Sequence, residues 1–130
     1  MNSEERSTKN TKYFFDTYAL VEIYEGNEAF AKYFDSSFFM TKLNLFEFHY
    51  YLLRKSGEKE ADEVAGGFSP NIRDFDERII KQASRFRLLH RSRNLSMTDC
   101  IGYIYAKENG MKFLTGDTEF RKMENVEFVK

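Results

Sequence analysis

Short apolar runs broken by acids and glycines set the rhythm of this chain. Positions 12–15, 37–40 and 112–115 read Lys-Tyr-Phe-Phe, Ser-Phe-Phe-Met and Lys-Phe-Leu-Thr. Each is too short for a helix and apolar on both faces, which predicts strands buried from both sides. The segments between them carry helical spacing. Leu20, Ile23 and Tyr24 share one face of a helix over 17–25 that stops at Gly26. A short helix over 27–34 follows, with Asn27 as its cap and Glu28 in its first turn. Thr41 is placed to cap a helix that holds Glu47 and ends near Gly57. A more polar helix over 58–65 is terminated by Gly66-Gly67, and 68–74, with Pro70, forms a loop with a short strand around Ile72. A helix over 76–93 has acids at its start and bases after, as the helix dipole prefers. The helix 97–109, closed by Gly110, leads into strand 112–115, and 125–129 reads as an edge strand. Buried strands alternating with helices predict a three-layer α/β/α domain around a small parallel sheet. In such sheets ligands gather at the carboxyl ends of the strands.

Composition narrows the picture. A chain of 130 residues is enough for one domain with a real core. Residues 1–11 are a polar tail expected to be mobile, leaving 12–130 as the domain. Fourteen Phe and eight Tyr without a Trp imply a bulky core or a surface that a partner covers. Net charge is −1, so nucleic-acid binding would have to come from a local patch. A single cysteine, Cys100, forbids an internal disulfide and reads most simply as a small buried residue. There is neither a secretory apolar region nor a membrane span, so the expected location is the cytoplasm.

Four acids stand out. Asp16 follows directly on the first strand and Asp117 on the strand 112–115, so in a parallel sheet both lie on one rim. Each also suits a cap for the turn after it. Asp99 opens a helix as the last residue of Ser96-x-x-Asp99, a capping-box pattern that leaves the carboxylate free to point past the strand ends. Glu47 has Leu43, Asn44, Tyr50 and Tyr51 as its helical neighbours. Either that face is exposed, or a carboxylate on it needs a partner, an arginine or a cation. Taken together, converging carboxylates repel one another, and a divalent cation relieves that repulsion. All-oxygen ligands favour Mg²⁺ or Mn²⁺, and Cys100, His49 and His90 lack zinc spacing.

The order Asp16, Glu47, Asp99, Asp117 resembles the acidic quartet of PIN domains over nearly the whole chain. L-S-M-T-D-C-I-G-Y-I-Y-A-K-E-N-G-M-K-F-L-T-G-D-T-E-F carries Asp99 with Ile101 and Ala106, then Thr115, Asp117 and Phe120, and is similar to the family's last two motifs. F-F-D-T-Y-A-L resembles the first motif and L-N-L-F-E-F the second. The resemblance implies a PIN-like fold and a Mg²⁺- or Mn²⁺-dependent endoribonuclease, most like prokaryotic VapC-type toxins of type II toxin–antitoxin pairs. It implies Asp16, Glu47, Asp99 and Asp117 as metal ligands, with Thr115 orienting a carboxylate. Glu119 is a further acid that could serve a second ion. It also implies an RNA substrate, a homodimer and a small cognate antitoxin. Tyr18 departs from the first motif, where a small polar residue often stands. A housekeeping RNA-processing nuclease, or a PIN-like module that binds RNA or protein without cutting, remain alternatives.

Two surfaces suit partners. Arg78, Lys81, Arg85, Arg87, Arg91 and Arg93 run without an acid until Asp99. Such a run is either a solvated helix face or a source of phosphate attraction beside the acids. Phe46, Phe48, Tyr50, Tyr51 and Leu52 surround Glu47. Whatever part of that helix the sheet leaves uncovered is a candidate groove for a dimer or an antitoxin.

Overall fold

A computed structural model describes residues 10–130; the first nine positions of the expected 1–11 tail lie outside the described residues. Four strands, β1 (Lys12–Phe15), β2 (Ser37–Phe39), β3 (Lys112–Thr115) and β4 (Val126–Phe128), form one sheet in the order β2-β1-β3-β4, every pair parallel. Strand alternation divides the apolar residues between two layers. Tyr13, Phe15 and Leu114 face a core completed by α1 (Thr17–Tyr24), α2 (Glu28–Ala31), α3 (Lys42–Ser56) and α4 (Glu58–Gly66). Phe14 and Phe113, their rings stacked 5.8 Å apart, face the opposite core beneath α5 (Glu77–Leu89) and α6 (Met97–Glu108). Phe14, Phe15 and Phe113 are fully buried, each contributing about 1.5–3 kcal/mol of burial free energy. The aromatic surplus is therefore largely core. Gly102 lets α6 settle onto the sheet, since a Cβ there would lie 2.7 Å from the Phe14 ring.

Three elements differ from their sequence expectations. The helix expected over 27–34 is α-helical only through Ala31 and then tightens into a 3-10 turn, Lys32–Asp35. The tighter winding delivers Tyr33 edge-on to Tyr13, with ring centroids 5.2 Å apart, and lets its hydroxyl donate to Glu127. The strand around Ile72 shrinks to one bridge with Met40. The helix expected to run to 93 ends at Leu89. Leu95 is buried, and the Arg87 Nε donates to its carbonyl, so the chain must turn back to bring Leu95 inward.

Strand order reverses between β1 and β3, because the chain leaves β1 toward β2 on one side and returns to β3 on the other. That reversal opens a crevice at the carboxyl ends of these two strands.

Candidate functional site

Asp16 stands where β1 stops. Its N–H still donates to the Leu114 carbonyl of β3, at 3.3 Å, so the residue is registered by the sheet. It also caps α1, with Oδ1 accepting from the Ala19 N–H at 2.8 Å. Oδ2 accepts from the Thr115 hydroxyl at 2.5 Å. The same hydroxyl oxygen accepts from the Asp117 N–H at 3.0 Å, so one threonine ties together both acids at the strand ends. Asp117 Oδ1 in turn accepts from the Glu119 N–H, opening the 3-10 turn Thr118–Phe120. Gly116 between them has no room for a side chain: a Cβ would sit 2.3 Å from the Tyr18 ring and 2.6 Å from the Val129 carbonyl. Tyr18, the departure from the first motif, is thus packed against the turn that carries Asp117.

Asp99 arrives from α6. Its Oδ2 accepts from the Ser96 N–H and its own N–H donates to Ser96 Oγ, a reciprocal capping box. Capping and crevice lining coexist here. Asp16, Asp99 and Asp117 line one open crevice of about 310 Å³ together with Thr17, Tyr18, Val21 and Glu22.

Glu47 sits beside the crevice rather than among the residues lining it. Its Oε1 accepts from the Thr17 hydroxyl at 2.5 Å, so the partner its covered face required is a threonine and not an arginine. Asn44 Nδ2 donates to Thr17 Oγ1 at 3.3 Å, while its own oxygen accepts from the Thr41 N–H and hydroxyl. Thr17 and Asn44 were not singled out in the sequence. The spacing Thr41-x-x-Asn44, a capping box with Asn in the last place, was the signal present. Glu119, the further acid, is tied to the turn before α6: its carboxylate accepts from the Asn94 N–H at 3.1 Å and its carbonyl from Arg93 Nη1 at 2.8 Å.

The electrostatics follow from this crowding. Burial first, with Asp99 and Asp117 adding to it, pushes Asp16 up to about 8 against the lowering effect of the Thr115 and Ala19 hydrogen bonds. Asp99 is raised as well, by burial first and by Asp117 and Glu47 after it, while Ser96 pulls it down. Among the described residues, no three His, Cys, Asp or Glu side chains already form a converging set of ligands. The chemistry of the crevice nonetheless fits a hard divalent cation: its acidic donors are carboxylate oxygens, and one buried carboxyl cannot ionise readily without a compensating charge. Softer donors lie elsewhere. His49 pairs with Asp62 at 2.8 Å, and burial raises the Cys100 thiol to about 11.

The sequence pattern of the PIN domain family matches residues 13–126, and the chain belongs to that family. No curated protein matches it in sequence. Among solved structures, the Mycobacterium tuberculosis VapC20 toxin, described as cleaving the sarcin-ricin loop, superposes with a TM-score of 0.76 at 18% identity, covering 91% of this chain and 99% of its own. The DNA-bound VapBC complex of Salmonella typhimurium gives 0.71 at 18% identity, with 91% and 96% covered. A toxin–antitoxin complex from Klebsiella pneumoniae gives 0.70 at 16%, with 88% and 95% covered. At these identities the likeness is one of fold.

Proposed function

We propose that this PIN-domain chain is a divalent-metal-dependent endoribonuclease, hydrolysing RNA phosphodiester bonds as the toxin of a VapBC-like pair. The observation that carries the reading is that Asp16, Asp99 and Asp117 all line one crevice at the point where strand order reverses. Those three residues, joined by Glu47, would hold Mg²⁺ or Mn²⁺. The ion supplies a Lewis acid for the phosphoryl group and lowers the pKa of water at neutral pH.

The chain's own contributions are positional. Thr115 fixes the Asp16 carboxylate in one orientation and holds the Asp117 backbone against it. Asn44 and Thr17 aim Glu47. Burial holds the Asp16 carboxyl at about 8, and a bound ion would favour its carboxylate form.

The test is purified protein with total RNA, with Mn²⁺ or with EDTA, and mapping of the new ends. Cleavage is expected with Mn²⁺ alone, and Asp99→Asn should abolish it while leaving the fold intact. Wild-type cleavage by that variant would remove the assignment. A second reading, a PIN-fold module that binds without cutting, is favoured by the lack, among the described residues, of three side chains already set as a metal-ligand group. Calorimetric titration with Mn²⁺ decides between the two, since absence of binding supports the module.

Partner readings rest on surfaces. An apolar cleft of about 380 Å³ lies against α1, α3 and α4, lined by Leu20, Tyr24, Phe34, Phe38, Phe48 and Phe68 among others. Phe46, Tyr50 and Leu53 form an exposed stripe on α3. Both suit a small antitoxin or a second copy of the chain. Among the described residues no helix is long and apolar enough to cross a membrane. A small upstream reading frame encoding a DNA-binding protein would favour the toxin over a housekeeping nuclease.

A further inference from the structure

We propose that Arg93 is a phosphate-contact residue, holding the backbone of a single-stranded RNA at the mouth of the acidic crevice. The inference rests on the ribonuclease reading above and adds a substrate contact to it. Ending α5 at Leu89 removes Arg91 and Arg93 from the helix and sets them in the turn that returns to Asp99. That turn is fastened to the site on both sides. Arg93 Nη1 donates to the Glu119 carbonyl at 2.8 Å, and the Asn94 N–H donates to the Glu119 carboxylate. The Glu119 N–H is itself held by Asp117 Oδ1 at 3.0 Å. Ser96, three residues on, is locked to Asp99. The guanidinium is therefore one hydrogen-bonded residue away from Asp117.

Arg85 makes no hydrogen bond or ion pair among the described residues, and the other neighbours in the basic run are occupied differently. Arg78 pairs with Glu108, and Lys81 with Glu77. Arg87 and Arg91 donate to carbonyls of their own segment, those of Leu95 and Leu88. Arg93 alone in this run crosses to the turn after β3. Among the described residues it has no carboxylate within ion-pair distance, although Glu119 is beside it. Of five guanidinium N–H donors, the carbonyl takes one, and the exposed residue keeps the remainder for a ligand. Phosphate oxygens match that fork. The need is also clear: three acids repel an approaching polyanion, and a fixed cation at their edge offsets the repulsion where the strand enters.

The test compares Arg93→Ala and Arg93→Lys with wild type, and with Arg78→Ala as a control at the other end of α5. Binding of a short fluorescein-labelled single-stranded RNA is followed by anisotropy over a KCl series, in the Asp99→Asn background so that no strand is cut. Arg93→Ala should weaken binding about tenfold, as expected for loss of a charge-assisted contact. It should also flatten the salt slope by about 0.7, the value for one phosphate on a single strand. Arg93→Lys should keep the slope with weaker binding, and Arg78→Ala should match wild type. With Asp99 restored, KM for RNA should rise about tenfold in Arg93→Ala, with kcat and Mn²⁺ affinity little changed. An unchanged affinity and slope in Arg93→Ala overturn the proposal. So does a fall in kcat and Mn²⁺ affinity at constant slope, which marks Arg93 as a mere brace for the Asp117 turn. If wild type cuts no RNA with Mn²⁺, the ribonuclease reading fails, yet the anisotropy comparison still decides whether Arg93 meets phosphate.

Discussion

Asp16 and Glu47 are carboxylates at the margin of one crevice, held in opposite ways. Asp16 is 3% exposed, and both its oxygens accept hydrogen bonds, one from the Thr115 hydroxyl at the end of β3 and one from the Ala19 N–H in the first turn of α1. Glu47 is half-buried on α3 and is held by the single hydroxyl of Thr17, which leans in turn on Asn44. One acid is fixed by backbone pairing and strand register; the other by a chain of side chains spanning α1 and α3. The difference teaches that the site has a rigid corner, Asp16–Thr115–Asp117, and an adjustable arm. In the corner burial is the largest influence on Asp16, as it is on the neighbouring Asp99.

The harshest way to break that contrast is Asp16→Asn. Activity should fall on the order of 10³-fold or more, since several kcal/mol of charge stabilisation goes with the ligand. The ion-free variant should nevertheless melt higher than wild type near neutral pH, because the amide preserves the cap without needing a proton. Equal melting temperatures in EDTA would show that Asp16 carries no burial cost. Thr115→Val comes next. It removes the donor to Asp16 and the acceptor for Asp117 at once, and a loss of about 10–100-fold in activity or Mn²⁺ affinity is expected. A wild-type response in a Mn²⁺ titration would refute the bridging role.

The corner should also betray itself through pH. The Asp16 carboxyl is held at about 8 in the folded chain, against roughly 4 when unfolded. Between those values the folded state binds a proton that the unfolded state has released. Its contribution is thus fully present below about pH 4 and is lost as pH rises through about 8. In EDTA the melting temperature should decline across that window by several degrees, and Mn²⁺ or Asp16→Asn should flatten the decline. Thermal melts at a series of pH values check this.

Much of this corner was legible because it is local. Strand 12–15 followed at once by Asp16, and strand 112–115 followed by Gly116-Asp117, needed only parallel pairing to share a rim, and the sheet is parallel throughout. Ser96 and Asp99 announced their capping box by spacing. The illegible parts depend on residues far apart in the chain. Nothing between Leu89 and Asn94 resembles a helix stop; there is no glycine or proline. The turn is imposed by buried Leu95 and by ties to Glu119, 25 and 26 residues away. The same holds for Glu47, whose hydroxyl partner lies 30 residues earlier, and for Tyr18, whose contact with Gly116 explains a bulky residue where the motif is often small.

Asn44→Ala probes the adjustable arm and should have the smallest effect. Asn44 is buried, and its carboxamide connects Thr41 at the start of α3 to Thr17 at the start of α1. Removing it leaves the Thr41 N–H and hydroxyl without their acceptor, at a cost of about 1–3 kcal/mol in stability. It leaves Thr17 free to rotate, so Glu47 loses its aim but keeps its charge. Activity should fall only a few-fold, with the Asp16 pH window unmoved, because no atom of Asn44 touches the corner. Asn44→Asp is the sharper companion: it keeps the acceptor for Thr41 and loses the donor to Thr17. If it matches Asn44→Ala in activity while recovering the melting temperature, the Thr17 contact is what aims Glu47. A loss as large as that of Thr115→Val would mean that arm and corner move as one body, and the contrast between them would have to be abandoned.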